Sequence, residues 1–192
     1  MRRAWSLVIG VLAAVAIAPS SAAQQPGQWA LTLGFPSAVG VVWQVSSGSA
    51  LRSDLSWSKA LATKTSPEVW TATAGLSALF RLYSADGVTA YAGPRLSWSR
   101  TETQSFGTTQ ASYGVTGLFG AQAALGKRFA VFGEAGLGYT SQSITKVLVQ
   151  GVLLQSPVAS ASRWGTTAGV GALLYLGSPS ASAVTRSSSA RT

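Results

Sequence analysis

Between residues 69 and 83, apolar and polar side chains alternate. Trp70, Ala72, Ala74, Leu76, Ala78, Phe80 and Leu82 share one parity. Thr71, Thr73, Gly75, Ser77, Arg81 and Tyr83 share the other, with Leu79 as the single apolar exception. Successive side chains of a strand point to opposite faces, so this period predicts a two-faced ribbon. Its apolar face runs uncharged from Trp70 to Leu82. That is longer than the roughly 5–6 residues of an ordinary strand and meets the ~9–11 residues a tilted strand needs to cross a bilayer.

The same alternation recurs and predicts eight strands, near 28–35, 39–46, 50–60, 69–83, 88–102, 111–125, 129–145 and 160–176. In the third, Leu51, Leu55 and Trp57 oppose Arg52, Asp54, Ser56 and Ser58. In the seventh, Val131, Ala135, Leu137 and Tyr139 oppose Phe132, Glu134, Gly136 and Gly138. Tight turns at 46–49, 84–87 (with Asp86-Gly87) and 126–128 alternate with longer loops at 61–68, 103–110 and 146–159. Short Gly-containing connections between alternating runs mark hairpins. Short turns on one side and long loops on the other is the asymmetry of barrels that span a membrane. The expected fold is therefore all-β: an eight-stranded antiparallel up-and-down transmembrane β-barrel.

Besides the very short first connection around Pro36-Ser37-Ala38, two places depart from this pattern. Pro94 removes a ladder donor in mid-strand, where a closed barrel has no edge to accommodate it; a β-bulge is the expected repair. The run Val147–Leu154 is apolar on both sides of Gln150-Gly151. It reads either as a hairpin continuing the strands above the membrane or as a surface for a partner.

Composition sharpens the picture. Of 192 residues, 10% are charged and 47% hydrophobic, against about 25% charged in soluble domains. No apolar run reaches the ~18 residues of a membrane helix. High hydropathy diluted by alternation suits a barrel. Residues 1–23 read as a cleaved signal peptide: Arg2 and Arg3 precede an apolar stretch from Trp5 to Ala18, then Ser21-Ala22-Ala23 before a cut at Gln24. The barrel is then assigned to 24–176, and the small polar residues of 177–192 to a disordered tail. The formal charge is +9. An exported chain without a clustered basic stripe is not expected to bind nucleic acid. Outer-membrane lipid and the phosphates of lipopolysaccharide are the partners expected for basic residues near the membrane edge.

Few ionisable groups occupy the polar faces. Arg52, Asp54, Arg81, Arg95 and Glu134 are assigned to the lumen as a structural charge plug, with Gln44, Gln122 and Tyr91 as hydrogen-bonding filler. An eight-stranded barrel is only wide enough to be filled by side chains, and charges there need partners. The alternative use of these residues is a gated ion path. The chain has no histidine, which removes Ser-His-Asp hydrolysis and imidazole metal sites. No catalytic residue, metal or cofactor is expected. Glu68 and Glu102 read as solvated loop charges. Trp29, Trp57, Trp70, Trp98, Tyr113, Phe129, Tyr139 and Trp164, together with Phe35 and Trp43, fall on the apolar face and are assigned to aromatic girdles at the membrane interfaces.

Three segments carry a family likeness: Ala50-Leu51-Arg52-Ser53-Asp54-Leu55-Ser56-Trp57, Tyr91-Ala92-Gly93-Pro94-Arg95-Leu96, and Phe132-Gly133-Glu134-Ala135-Gly136-Leu137-Gly138-Tyr139. With the signal peptide, they make the chain resemble the small outer-membrane β-barrel proteins of Gram-negative bacteria, over roughly 28–176. The resemblance implies insertion by the barrel-assembly machinery and a non-enzymatic role in envelope structure or surface contact. Two other functions fit parts of the pattern: a small outer-membrane pore, and a secreted soluble barrel that binds lipid inside.

Overall fold

The computed structural model describes residues 26–35, 38–63, 67–103, 108–149, 152–154 and 159–176. The expected signal peptide and C-terminal tail lie outside them. The strands are β1 (Trp29–Phe35), β2 (Ala38–Gln44), β3 (Ser49–Ala60), β4 (Val69–Ala85), β5 (Val88–Thr103), β6 (Thr108–Ala124), β7 (Phe129–Val149), β8 (Val152–Leu154) and β9 (Ala159–Leu176). Each long strand pairs antiparallel with the next, and β1 closes the ring on β9. The barrel thus has eight walls, with β8 a short addition to β7 beyond the ring. Leu31 pairs directly with Leu174. The row of partners running the other way, through Val41, Ser53, Leu76, Leu96, Val115 and Tyr139, reaches β9 at Trp164, ten residues along. That stagger is the shear that tilts the strands of a closed barrel.

Turn chemistry sets one end. Asp86 and Gly87 both have positive φ, 50° and 81°, the mirror-image turn that matches strand twist. At the β2–β3 turn, Val45 and Ser46 both donate their N–H to the Ser49 carbonyl, at 3.0 and 3.1 Å. The long connections lie at the opposite end.

The faces follow the alternation. Leu33, Leu55, Leu76, Leu96, Phe119, Leu137 and Val170 are exposed on the outside, while Thr32, Gln44, Arg52, Asp54, Ser77 and Thr116 are buried inside. Aromatics collect at two heights. Trp29, Trp43 and Phe129 lie at the turn end, with Trp29 and Trp43 stacked at 5.6 Å. Trp57, Trp70, Trp98, Tyr113, Tyr139 and Trp164 lie toward the loops, with Tyr139 edge-on to Trp164 at 5.5 Å. Phe129 and Tyr139 are ten residues apart on β7. At ~3.4 Å per residue and ~40° of tilt, the girdles stand ~25 Å apart, the height of the apolar band of membrane barrels.

Three expectations are corrected. No register shift occurs at Pro94. Instead the β4–β5 ladder lapses between Ser77↔Arg95 and Phe80↔Ala92 and resumes in the same register. Gly93 permits this, because a Cβ there would collide with the Ala78 carbonyl oxygen. The bulge lies at Leu82, between Arg81 and Tyr83. The extra residue reverses parity, so Tyr83 faces outward opposite Ala90 instead of into the lumen. Third, the charge plug and its hydrogen-bonding filler do not occupy the whole lumen. At its turn end Ala30, Val42, Ala50, Ala130, Phe132 and Leu173 form an apolar cluster, against which Leu79 and Tyr175 pack. In the long 146–159 connection, the backbone continues β7 to Val149 and returns through β8, a strand extension.

Candidate functional site: a bridged lumen between two chambers

Four of the five charged residues assigned to the lumen converge in two ion pairs. Arg52 on β3 donates from one terminal nitrogen to both oxygens of Glu134 on β7, at 2.9 and 2.8 Å. In the ring, three strands separate β3 from β7 in either direction, so this pair spans the full diameter. Tyr91 on β5 donates its hydroxyl to Glu134 at 3.3 Å. The Arg52 guanidinium lies 5.4 Å from the centre of the Phe132 ring, a cation–π contact.

A second pair lies beside it. Arg95 on β5 donates through both terminal nitrogens to Asp54 on β3, at 2.8 and 2.5 Å. This fork-to-fork geometry is the strongest form of the interaction. The pair passes over β4 at Gly75, where a Cβ would lie 2.8 Å from both the Arg95 Cζ and the Asp54 carboxylate. Gly171 makes room in the same way for the Phe132 ring. Inward glycines are thus spaces reserved for neighbouring long side chains.

Burial makes these pairs consequential. Arg52 is 4% exposed and Asp54 7%. Each pair gives its charges a partner that water would otherwise supply. Ser77 lies between the two arginines, in register with Arg52 on one side and Arg95 on the other.

On the turn side of the bridge is a chamber of about 40 Å³, lined by Gln44, Arg81, Tyr91, Gln122 and Tyr175 among others. There Gln122 donates to the Tyr175 hydroxyl at 2.5 Å. On the loop side is a chamber of about 330 Å³, lined by the four bridging side chains and by hydroxyls including Thr32, Thr73, Ser97 and Thr116. Arg52 and Phe132 line both chambers and form the partition between them.

Arg52, Asp54, Arg95 and Glu134 are therefore brought together, with Tyr91 among them. Arg81 lines the smaller chamber, apart from the two ion pairs. Glu68 and Glu102 pair with rim cations, Lys59 and Arg100, rather than with each other. Sequence reasoning put Phe132 on the inner face but gave it no role in the bridge. It missed Leu173. Both share the parity of inward residues, and that was the available signal.

These features define an eight-stranded up-and-down barrel with an apolar exterior and a lumen bridged by ion pairs. Among solved structures, the chain is similar to the crystal structure of CarO from Acinetobacter baumannii. The identity is 13%, over 79% of this chain and 98% of that one, with a TM-score of 0.43. At that overlap the likeness carries no argument about function. No family model and no curated protein matches the chain.

Proposed function

We propose that the chain is a non-enzymatic outer-membrane protein, a barrel seated in lipid that contributes to envelope structure or presents its loops for surface contact. The observation carrying this reading is the inverted distribution of polarity: exposed Leu, Val and Phe around the ring, bounded by two aromatic girdles, enclosing charge pairs turned away from the outer face. A soluble lipid-binding barrel needs the reverse, an apolar interior and a polar exterior. Lipid and lipopolysaccharide are the partners of the outer face, and the barrel-assembly machinery is the partner during insertion. The test is cell fractionation combined with gel migration of unheated and boiled samples. Outer-membrane recovery and a folded form that migrates differently support the reading; a protein soluble without detergent rejects it.

The partition supports a second reading, a pore. Two chambers separated by one layer of side chains would join if Arg52 and Glu134 parted. In planar bilayers the wild-type barrel is expected to be closed or nearly so, with Glu134→Ala raising conductance. Equal conductance in wild type and variant discards the pore.

A further inference from the structure

The barrel wall is lower on one side. β1 ends at Phe35, paired with Val170, and β2 begins at Ala38, paired with Ser56. Beyond these pairs β9 continues from Gly169 back to Ala159 with β7 on one flank, and no described strand lies on the other. β3 likewise continues from Trp57 to Ala60 with only β4 beside it among the described strands. Trp164, in the loop-end girdle, stands six residues beyond Val170 on β9. At ~3.4 Å per residue and ~40° of tilt it is ~15 Å higher, so the notch begins inside the band between the girdles. Backbone groups left unpaired at that depth are expensive unless they line a polar cavity.

The larger chamber reaches this notch. Its lining combines inward Arg95, Ser97 and Thr116 with Phe35, Ala168 and Val170 at the rim, where Phe35 is 75% and Val170 58% exposed on the outer face. One cavity is thus polar at its inner end and apolar where it meets the outside. Counting side-chain atoms alone, Arg95 is the most accessible of the four charged groups at its floor, at 21% against 5% for Arg52, 12% for Glu134 and 8% for Asp54. Arg95 already holds Asp54 and the four charges sum to zero, so an entering group meets the remaining N–H donors of a paired guanidinium. An adjoining chamber of about 350 Å³ shares Thr116, Thr140 and Thr167 with the first and adds Arg163.

We propose that the notch is a lateral binding site for a single-chain amphiphile with an anionic headgroup. The headgroup sits on Arg95 and the hydroxyls of Ser97 and Thr116, and the chain leaves over the Phe35–Val170 pair, where β1 ends, into lipid. This rests on the reading of the barrel as membrane-seated. Gly169 lines the passage, and a Cβ there meets only Glu134, at 3.7 Å. A larger side chain at this position fills the passage without striking backbone.

The test uses the full chain folded into nanodiscs of zwitterionic phospholipid, with spin-labelled stearate as the probe. A motionally restricted spectral component is expected, displaced by unlabelled dodecanoate and not by dodecanol. Gly169→Leu should weaken binding about tenfold or more, the loss of a few buried methylenes. Arg95→Gln should abolish the preference for the anionic headgroup. If Arg95→Gln does not fold, Gly169→Leu decides alone. A folded, membrane-inserted wild type that restricts no probe, or restricts it equally with Gly169→Leu, overturns the site and leaves the membrane reading standing. Failure to insert at all would reject the membrane reading instead.

Discussion

Arg52 and Glu134 are 82 residues apart in the chain and meet across the whole lumen. A buried pair is a poor source of net stability, yet removing one partner is costly because the other is left charged and dry. Arg52→Met or Glu134→Leu alone should each destabilise the barrel by about 3–5 kcal/mol, and the double substitution should recover most of that loss. Urea unfolding from lipid vesicles measures all three; additive losses would show that the two side chains do not act as a pair. The neighbouring pair depends on an absence, since any side chain at Gly75 would occupy the space where Arg95 reaches Asp54. Parity placed all four charged residues on the inner face. Which carboxylate each arginine takes depends on ring stagger, which no local pattern carries.

A single inserted residue re-aims part of a strand. Leu82 reverses the parity of β4 so that Tyr83 joins the turn-end aromatics, and simple alternation misassigns it for that reason. Pro94 shows the opposite case, where a disruptive residue is accommodated without changing register. Its neighbour Gly93 lets β4 and β5 approach closely. Gly93→Ala should therefore lower the folded fraction seen by heat-modifiable migration, because the Ala78 carbonyl cannot move without breaking ladder pairs. Gly126→Ala, in a turn with nothing within 4 Å of the added Cβ, should fold as wild type does. If both fold equally, the close approach at Gly93 is not required.

At the scale of the whole molecule, the ring separates an exposed apolar exterior from a lumen that holds the charge pairs. Leu76 lies on the outer face six residues from Trp70 along β4, and its flanking partners Ser53 and Leu96 are also exposed. That places it near the middle of the apolar band. Leu76→Arg should cost about 2–4 kcal/mol in lipid, and Trp70→Arg, at the interface, about 0–1. Unfolding from vesicles of defined thickness gives the comparison. Equal costs at the two depths would mean that the exterior does not face a bilayer.

The sequence by itself determined the eight long strands, their two faces up to the bulge at Leu82, and the positions of the tight turns, because a period of two and turn residues are local properties. It also determined which charges point inward, since the apolar face of each strand leaves them nowhere else. Only the tertiary structure decided the ten-residue stagger and, through it, the matching of Arg52 with Glu134 and Arg95 with Asp54. Closure likewise created the apolar cluster beneath the bridge and the low wall between β9 and β3. Those features arise when distant strands meet in a tilted ring, and relative height in such a ring is set by every register at once.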